Sequence, residues 1–210
     1  MWSRTAGAGA RVALTSPSAI TTLLGFRLNQ VQRLLELIQS LLVLPEDLSY
    51  PVQPFHKSFP NFITDPVRCR DPQFHTSPDY HIELVLHCLE LMERSLKKNM
   101  CSIPDYCLNP EVEDLPRKIE DSGIRGALEY ACRSWYKHLT MTKHRAIDVL
   151  SALCDFLEGK LIFWLEVLSV LGVMGGAACA LIATTKWLND VTFSDFKTLR
   201  QRLSPKRLTS

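Results

Sequence analysis

The chain has 210 residues, 46% of them hydrophobic and 22% charged, and its 24 basic and 22 acidic side chains leave a net charge of +2. A chain of this size buries roughly 70% of its unfolded surface, which suits one generous domain or two small ones. The near-neutral balance excludes an overall electrostatic attraction for nucleic acid or acidic ligands, so any such attraction has to be local.

Residues 1–15 (MWSRTAGAGARVALT) show weak periodicity and are expected to form a disordered leader. Arg4, Arg11, Arg27 and Arg33 precede the first acid, Glu36, and stand among Ser, Thr and Ala. That is the composition of a mitochondrial transit peptide. The plainer reading of the same residues is a short disordered leader, or a start inside a longer gene.

Ser16-Pro17 has the form of an N-cap followed by proline at the first helical position, and "SAITTLLG" ends that helix at Gly25. In "RLNQVQRLLELIQSLLVL", Leu28, Val31, Leu34, Leu35, Ile38, Leu41 and Leu42 recur at steps of three and four, which predicts an amphipathic helix. Pro45 and "EDLSYP" break it. Val52 to Phe55 suits a short strand, and "FPNFIT" a last short element, with Phe55, Phe59 and Phe62 packing the unit. Helix, tight turn, longer helix and small β element predict a winged helix-turn-helix over 16–65. A proline-bearing linker follows at 66–76.

Ser77-Pro78-Asp79 signals the start of a helical bundle over 77–190. Its first helix carries Ile82, Val85, Leu86, Leu89, Met92 and Leu96 on one face, and Lys97 and Lys98 suit the negative end of its dipole. Pro104, Pro110 and Pro116 mark 99–122 as a long loop. "IRGALEYACRSWYKHL" returns to helical spacing, with Leu128, Ala131, Cys132, Trp135 and Leu139 inward. The run from Ala146 to Leu188 holds two or three more helices. Trp135, Trp164 and Trp187 belong to core or to a partner-docking face. Residues 191–210 form a basic tail, with Lys197, Arg200, Arg202, Lys206 and Arg207 against Asp195. The fold class expected is therefore mostly α, a winged helix with a small β wing and then a bundle.

Seven cysteines without a CxxC pair favour reduced thiols and a cytoplasmic setting. His75, His81, His87, Cys88, Cys101 and Cys107 lack zinc-finger spacing, so no metal is expected. Arg27, Asn29, Gln30, Gln32 and Arg33 are of the type that reads base edges, but Glu36 follows and no basic stripe accompanies them, so nucleic acid is not expected either. The rival to a cytoplasmic protein is a single-pass membrane protein. Val167 to Thr185 is nineteen residues without a charge, with Gly172, Gly176, Ala180 and Thr184 every fourth residue. The basic tail would then be cytoplasmic. Gly175-Gly176 reads equally as a corner between two helices.

"SLLVLPED", "PVQPFHKSFPNFITDP", "MCSIPDYCLNPEVEDL", "ALEYACRSWYKHL" and "FLEGKLIFWLEVLSVLG" occur in that order. Together, across residues 16–189, they resemble the region behind the nucleotide-binding domain of fungal NACHT-type STAND proteins. These are signal-transduction NTPases, often ending in WD-repeat propellers. The resemblance implies a winged-helix module and a helical connector. It also implies a role for His56, whose "F-H-x-S-F" context (Phe55, Ser58, Phe59) matches a histidine that reaches nucleotide phosphates in the resting state. Asn61 departs from the acidic residue such proteins often carry there. The chain has no P-loop. Its one Gly-Lys, Gly159-Lys160, is followed by Leu161, and Cys154 stands where the first glycine belongs. The resemblance thus implies a non-enzymatic regulatory or interaction module of a STAND-type system, a fragment or degenerate copy without nucleotide hydrolysis or cofactor of its own. Its partner would be a protein, such as a nucleotide-binding domain in trans.

Overall fold

A computed structural model describes residues 16–56, 58–63, 65, 67–71, 78–104, 109–142 and 147–189. The expected leader, most of the expected linker, His75, Cys107 and the basic tail lie outside the described residues. Among the described residues the chain is mostly helical, with one two-stranded antiparallel sheet.

Helix α1 (Pro17–Leu24) begins and ends where its sequence says it should. Ser16 Oγ accepts from the Ala19 N–H at 3.1 Å, and Gly25 closes the helix at φ +71° with its N–H on the Thr21 carbonyl at 2.9 Å. A residue with a Cβ is strained at that φ, so glycine is the natural terminator. Helix α2 (Leu28–Leu37) starts with the Arg27 N–H on Gln30 Oε1 at 3.0 Å.

The apolar period continues to Leu42, but α2 does not. The chain turns at Ile38, and Leu42–Val43 forms β1, paired with β2 (Gln53–Pro54) in the register Leu42↔Pro54 and Val43↔Gln53. The Leu41 carbonyl accepts from the Phe55 N–H at 2.9 Å. Leu42 and Val52 are buried at the base of this hairpin. Pairing across residues 44–52 thus overrides a local helical pattern, which β-branched Val43 and Pro45 already weaken. Helix α3 (Ser58–Ile63) follows.

The bundle is built on α4 (Pro78–Ser95) and α6 (Ala127–Met141). Val85, Cys88, Leu89 and Met92 of α4 join Ala131, Cys132, Trp135 and Leu139 of α6 in one core. Helices α7 (Ile147–Gly159), α8 (Leu161–Val170) and α9 (Gly175–Asn189) complete it. Trp135, Phe156 and Trp164 meet edge to face with centroids 5.4–6.0 Å apart. Trp164 Nε1 donates to the Cys132 carbonyl and Trp187 Nε1 to Thr142 Oγ1, both at 2.9 Å. The three tryptophans are core residues. Helix α1 is packed on α4 and α6, and its Ala19 and Leu23 belong to the same core.

Two expectations need correcting. The loop expected over 99–122 contains helix α5 (Leu115–Asp121). Pro116 hides it from a sequence reading, yet proline is tolerated in a first helical turn because its missing N–H would have no partner there. Asn99, at φ +52°, folds the preceding turn by gripping Ile103 through both side-chain atoms, at 2.7 and 2.8 Å.

The second correction concerns Val167 to Thr185, which is not one span. Helix α8 stops at Val170, and the Val173 N–H reaches the Leu168 carbonyl while the Gly172 N–H reaches that of Ser169. With Gly172 at φ +68°, this is a Schellman motif. Among the described residues no helix is long and apolar enough to cross a membrane. Of the small-residue stripe, Ala180 and Thr184 are buried within the bundle. The corner lies at Gly172–Met174, and Gly175-Gly176 opens α9.

Candidate functional site

His56 stands between the hairpin and α3. Its carbonyl accepts the Phe59 N–H at 3.0 Å, so it is the residue from which the chain enters that helix. Its Nδ1 lies 3.2 Å from the Ser58 N–H and 2.6 Å from Ser58 Oγ. A backbone N–H can only donate, so Nδ1 is the acceptor in both bonds and the neutral ring carries its proton on Nε2. The side chain is exposed, and no described residue accepts from Nε2. Local geometry therefore fixes the tautomer and leaves one N–H donor free to meet an acceptor from outside.

Ser58 sits within hydrogen-bond reach of an imidazole, as a nucleophile would. Here, though, the imidazole nitrogen is shared with a backbone N–H, and no described carboxylate holds the opposite ring nitrogen. The pair does what a helix N-cap does.

The three phenylalanines do not pack the unit as expected. Phe59 is half-buried, Phe62 is exposed, and Phe55 is 75% exposed. Phe55 and Phe62 join a series of exposed apolar side chains in this block. In α2 only Val31 is buried, whereas Leu37 is 79% exposed and Leu28 and Leu34 are exposed with it. Leu41, Val43 and Tyr50 around the hairpin are exposed as well. A groove of about 230 Å³ runs beside it, lined by Leu35, Leu44, Pro45 and Leu48 with Glu36 and Glu46. A cleft of about 260 Å³ lies between α1, α4 and the start of α6, where Arg125 is held by Glu129 at 3.1 Å. Both fall below the roughly 300–1,000 Å³ of small-molecule sites.

The other sequence candidates are dispersed. Gln30 is spent on capping α2, while Arg27, Asn29 and Arg33 are exposed without a basic neighbourhood. No group of three or more metal-ligating side chains occurs among the described residues. Cys88, Cys101, Cys132, Cys154 and Cys179 are free thiols. Burial raises Cys88 well above its ordinary value, with Cys132 adding to it, and pushes Cys132 up to about 12, so neither is an activated nucleophile. Lys160 of the Gly-Lys pair binds the Leu96 carbonyl at 2.9 Å.

One cluster was not expected. His81 on α4 and His138 on α6, 57 residues apart, place their Nδ1 atoms 3.1 Å from each other, and Tyr130 Oη lies 2.8 Å from His138 Nε2. His81 is half-buried. The available signal was its register, one turn before Val85 on the buried face of α4. Burial, then His81 and Lys137, brings the His138 imidazole down to about 4, and burial lowers His81.

No family model matches the chain, and neither a curated protein nor a solved structure does.

Proposed function

We propose that the chain is a non-enzymatic regulatory and interaction module of STAND type. In this reading residues 16–65 act as a winged-helix unit whose apolar face receives a protein partner, a nucleotide-binding domain in trans. The observation that carries it is the exposed surface from Phe26 to Phe62, in a chain whose other helices cover most of their large apolar side chains. Exposed large apolar side chains gathered in one block of the chain are the mark of an interaction site. His56 lies at its edge, with Nδ1 anchored and the Nε2 proton unengaged among the described residues. An imidazole N–H is a good donor to a phosphate oxygen, and the bond strengthens when the ring is protonated. Free thiols agree with a reducing, cytoplasmic setting.

The test is binding between this chain and a separately expressed NACHT-type nucleotide-binding domain loaded with ADP, followed by calorimetry. Association is expected, with Leu37→Glu abolishing it. His56→Ala should speed ADP release about tenfold, the worth of one hydrogen bond to a charged group. No association in either the ADP-loaded or the empty state would sink the reading.

A further inference from the structure

The contact between His81 and His138 has a stoichiometry written into its geometry. The nitrogens are 3.1 Å apart and the ring centroids 5.3 Å, with the ring planes tilted by 29°. The centroids exceed the nitrogen separation by about the radii of the two rings, so the imidazoles meet nearly head-on. A bond of that kind holds one hydrogen. Each nitrogen is either an N–H or a lone pair, and one of each is required.

The far side of His138 is tied too. If Tyr130 donates to Nε2, a neutral His138 has its proton on Nδ1 and His81 must accept. If Tyr130 accepts, His138 must receive the His81 proton on its own Nδ1 lone pair. One added proton is housed from either arrangement with every contact still pairing donor with acceptor: on His81 Nε2 where Tyr130 accepts, or on His138 Nε2 once the Tyr130 hydroxyl turns from donor to acceptor. A second sets N–H against N–H, and cation against cation, between two helices.

We infer that the His81–His138–Tyr130 chain is an acid-sensitive seam, holding α4 against α6 with one added proton or none and releasing them when a second arrives.

The surroundings favour that behaviour. From α6, Lys137 adds positive charge beside His138. From α4, Cys88 faces Tyr130, and both groups are raised by burial and remain neutral. On α7, Glu158 and Asp155 act on Cys154. His138 lies in the last turn of α6, where the helix dipole favours a cation. Burial outweighs that, since the net direction for His138 is downward. The two rings titrate as a pair, so the steps belong to the pair rather than to either residue. Both directions are below the ordinary imidazole value, so the seam contributes in full above about pH 6.5 and is lost as pH falls toward 4.

The full chain labelled with ¹⁵N in histidine, titrated by NMR from pH 7.5 to 4 alongside amide hydrogen exchange, tests this. Two separated steps are expected for His81 and His138, both below the ordinary imidazole value. Across the second, exchange in α4 and α6 should quicken by about tenfold or more relative to pH 7 after correction for the intrinsic pH dependence of exchange. His81→Gln should abolish the second step, whereas His87→Gln should leave both in place. Independent titration of the two rings at the ordinary value, or exchange in α4 and α6 unchanged through the second step, overturns the inference, and both are read on the unmodified chain even if His81→Gln fails to fold.

Discussion

Helix α2 and helix α6 show equally clear apolar spacing, and they meet opposite fates. Every residue of the α6 face, from Leu128 to Leu139, is buried against α4 and the helices that follow, with Trp135 0% exposed. Helix α2 buries Val31 and shows most of the rest of its face to solvent. Periodicity says that a face wants to be covered; it does not say by what. In the bundle the cover is supplied by the same chain, and in the first block the described residues do not supply it.

The contrast can be attacked by substitution. Trp164→Ala removes a fully buried ring, its two edge-to-face contacts and its bond to Cys132, and should cost about 4 kcal/mol in urea unfolding. A loss below about 1 kcal/mol would mean that the bundle is not the stable half. Acid should weaken the bundle next. With His138 at about 4 when folded and 6.5 when unfolded, the folded state refuses a proton that the unfolded state takes. Stability therefore falls between pH 6.5 and 4, by about 2 kcal/mol once partial exposure is allowed for. Thermal midpoints measured across that range, with and without His138→Gln, check it. Ser16→Ala should cost about 1 kcal/mol by removing the α1 cap. Leu37→Ala should change stability by less than about 0.5 kcal/mol, because the side chain is already in water. A large effect there would show that α2 is covered after all.

What the sequence disclosed follows the reach of each interaction. Ser16-Pro17 and Gly25 are legible because a cap is decided within four residues. The α6 face and the three tryptophans are legible because a fully apolar stripe has few alternatives. The end of α2 was missed because Leu42 is claimed by Pro54, twelve positions away, and no local pattern records that pairing. Helix α5 was masked by a proline that only its position in the first turn makes harmless. The apparent span at Val167 was one glycine short of a helix: at Gly172 the left-handed turn outweighs nineteen uncharged residues. For the candidate site, sequence led to His56 but not to its tautomer, which depends on a turn placing the Ser58 N–H. Of the histidine cluster only the register of His81 was legible, because its halves meet only when α4 and α6 pack.

The placement of α1 has a consequence for how the chain is made. Its Ala19 and Leu23 fill a core otherwise assembled from residue 85 onward, so α1 is made well before most of the neighbours it packs against. Until α6 has been synthesised, more than a hundred residues later, α1 has only half its seat. Closing that long loop is an entropic cost paid late in folding.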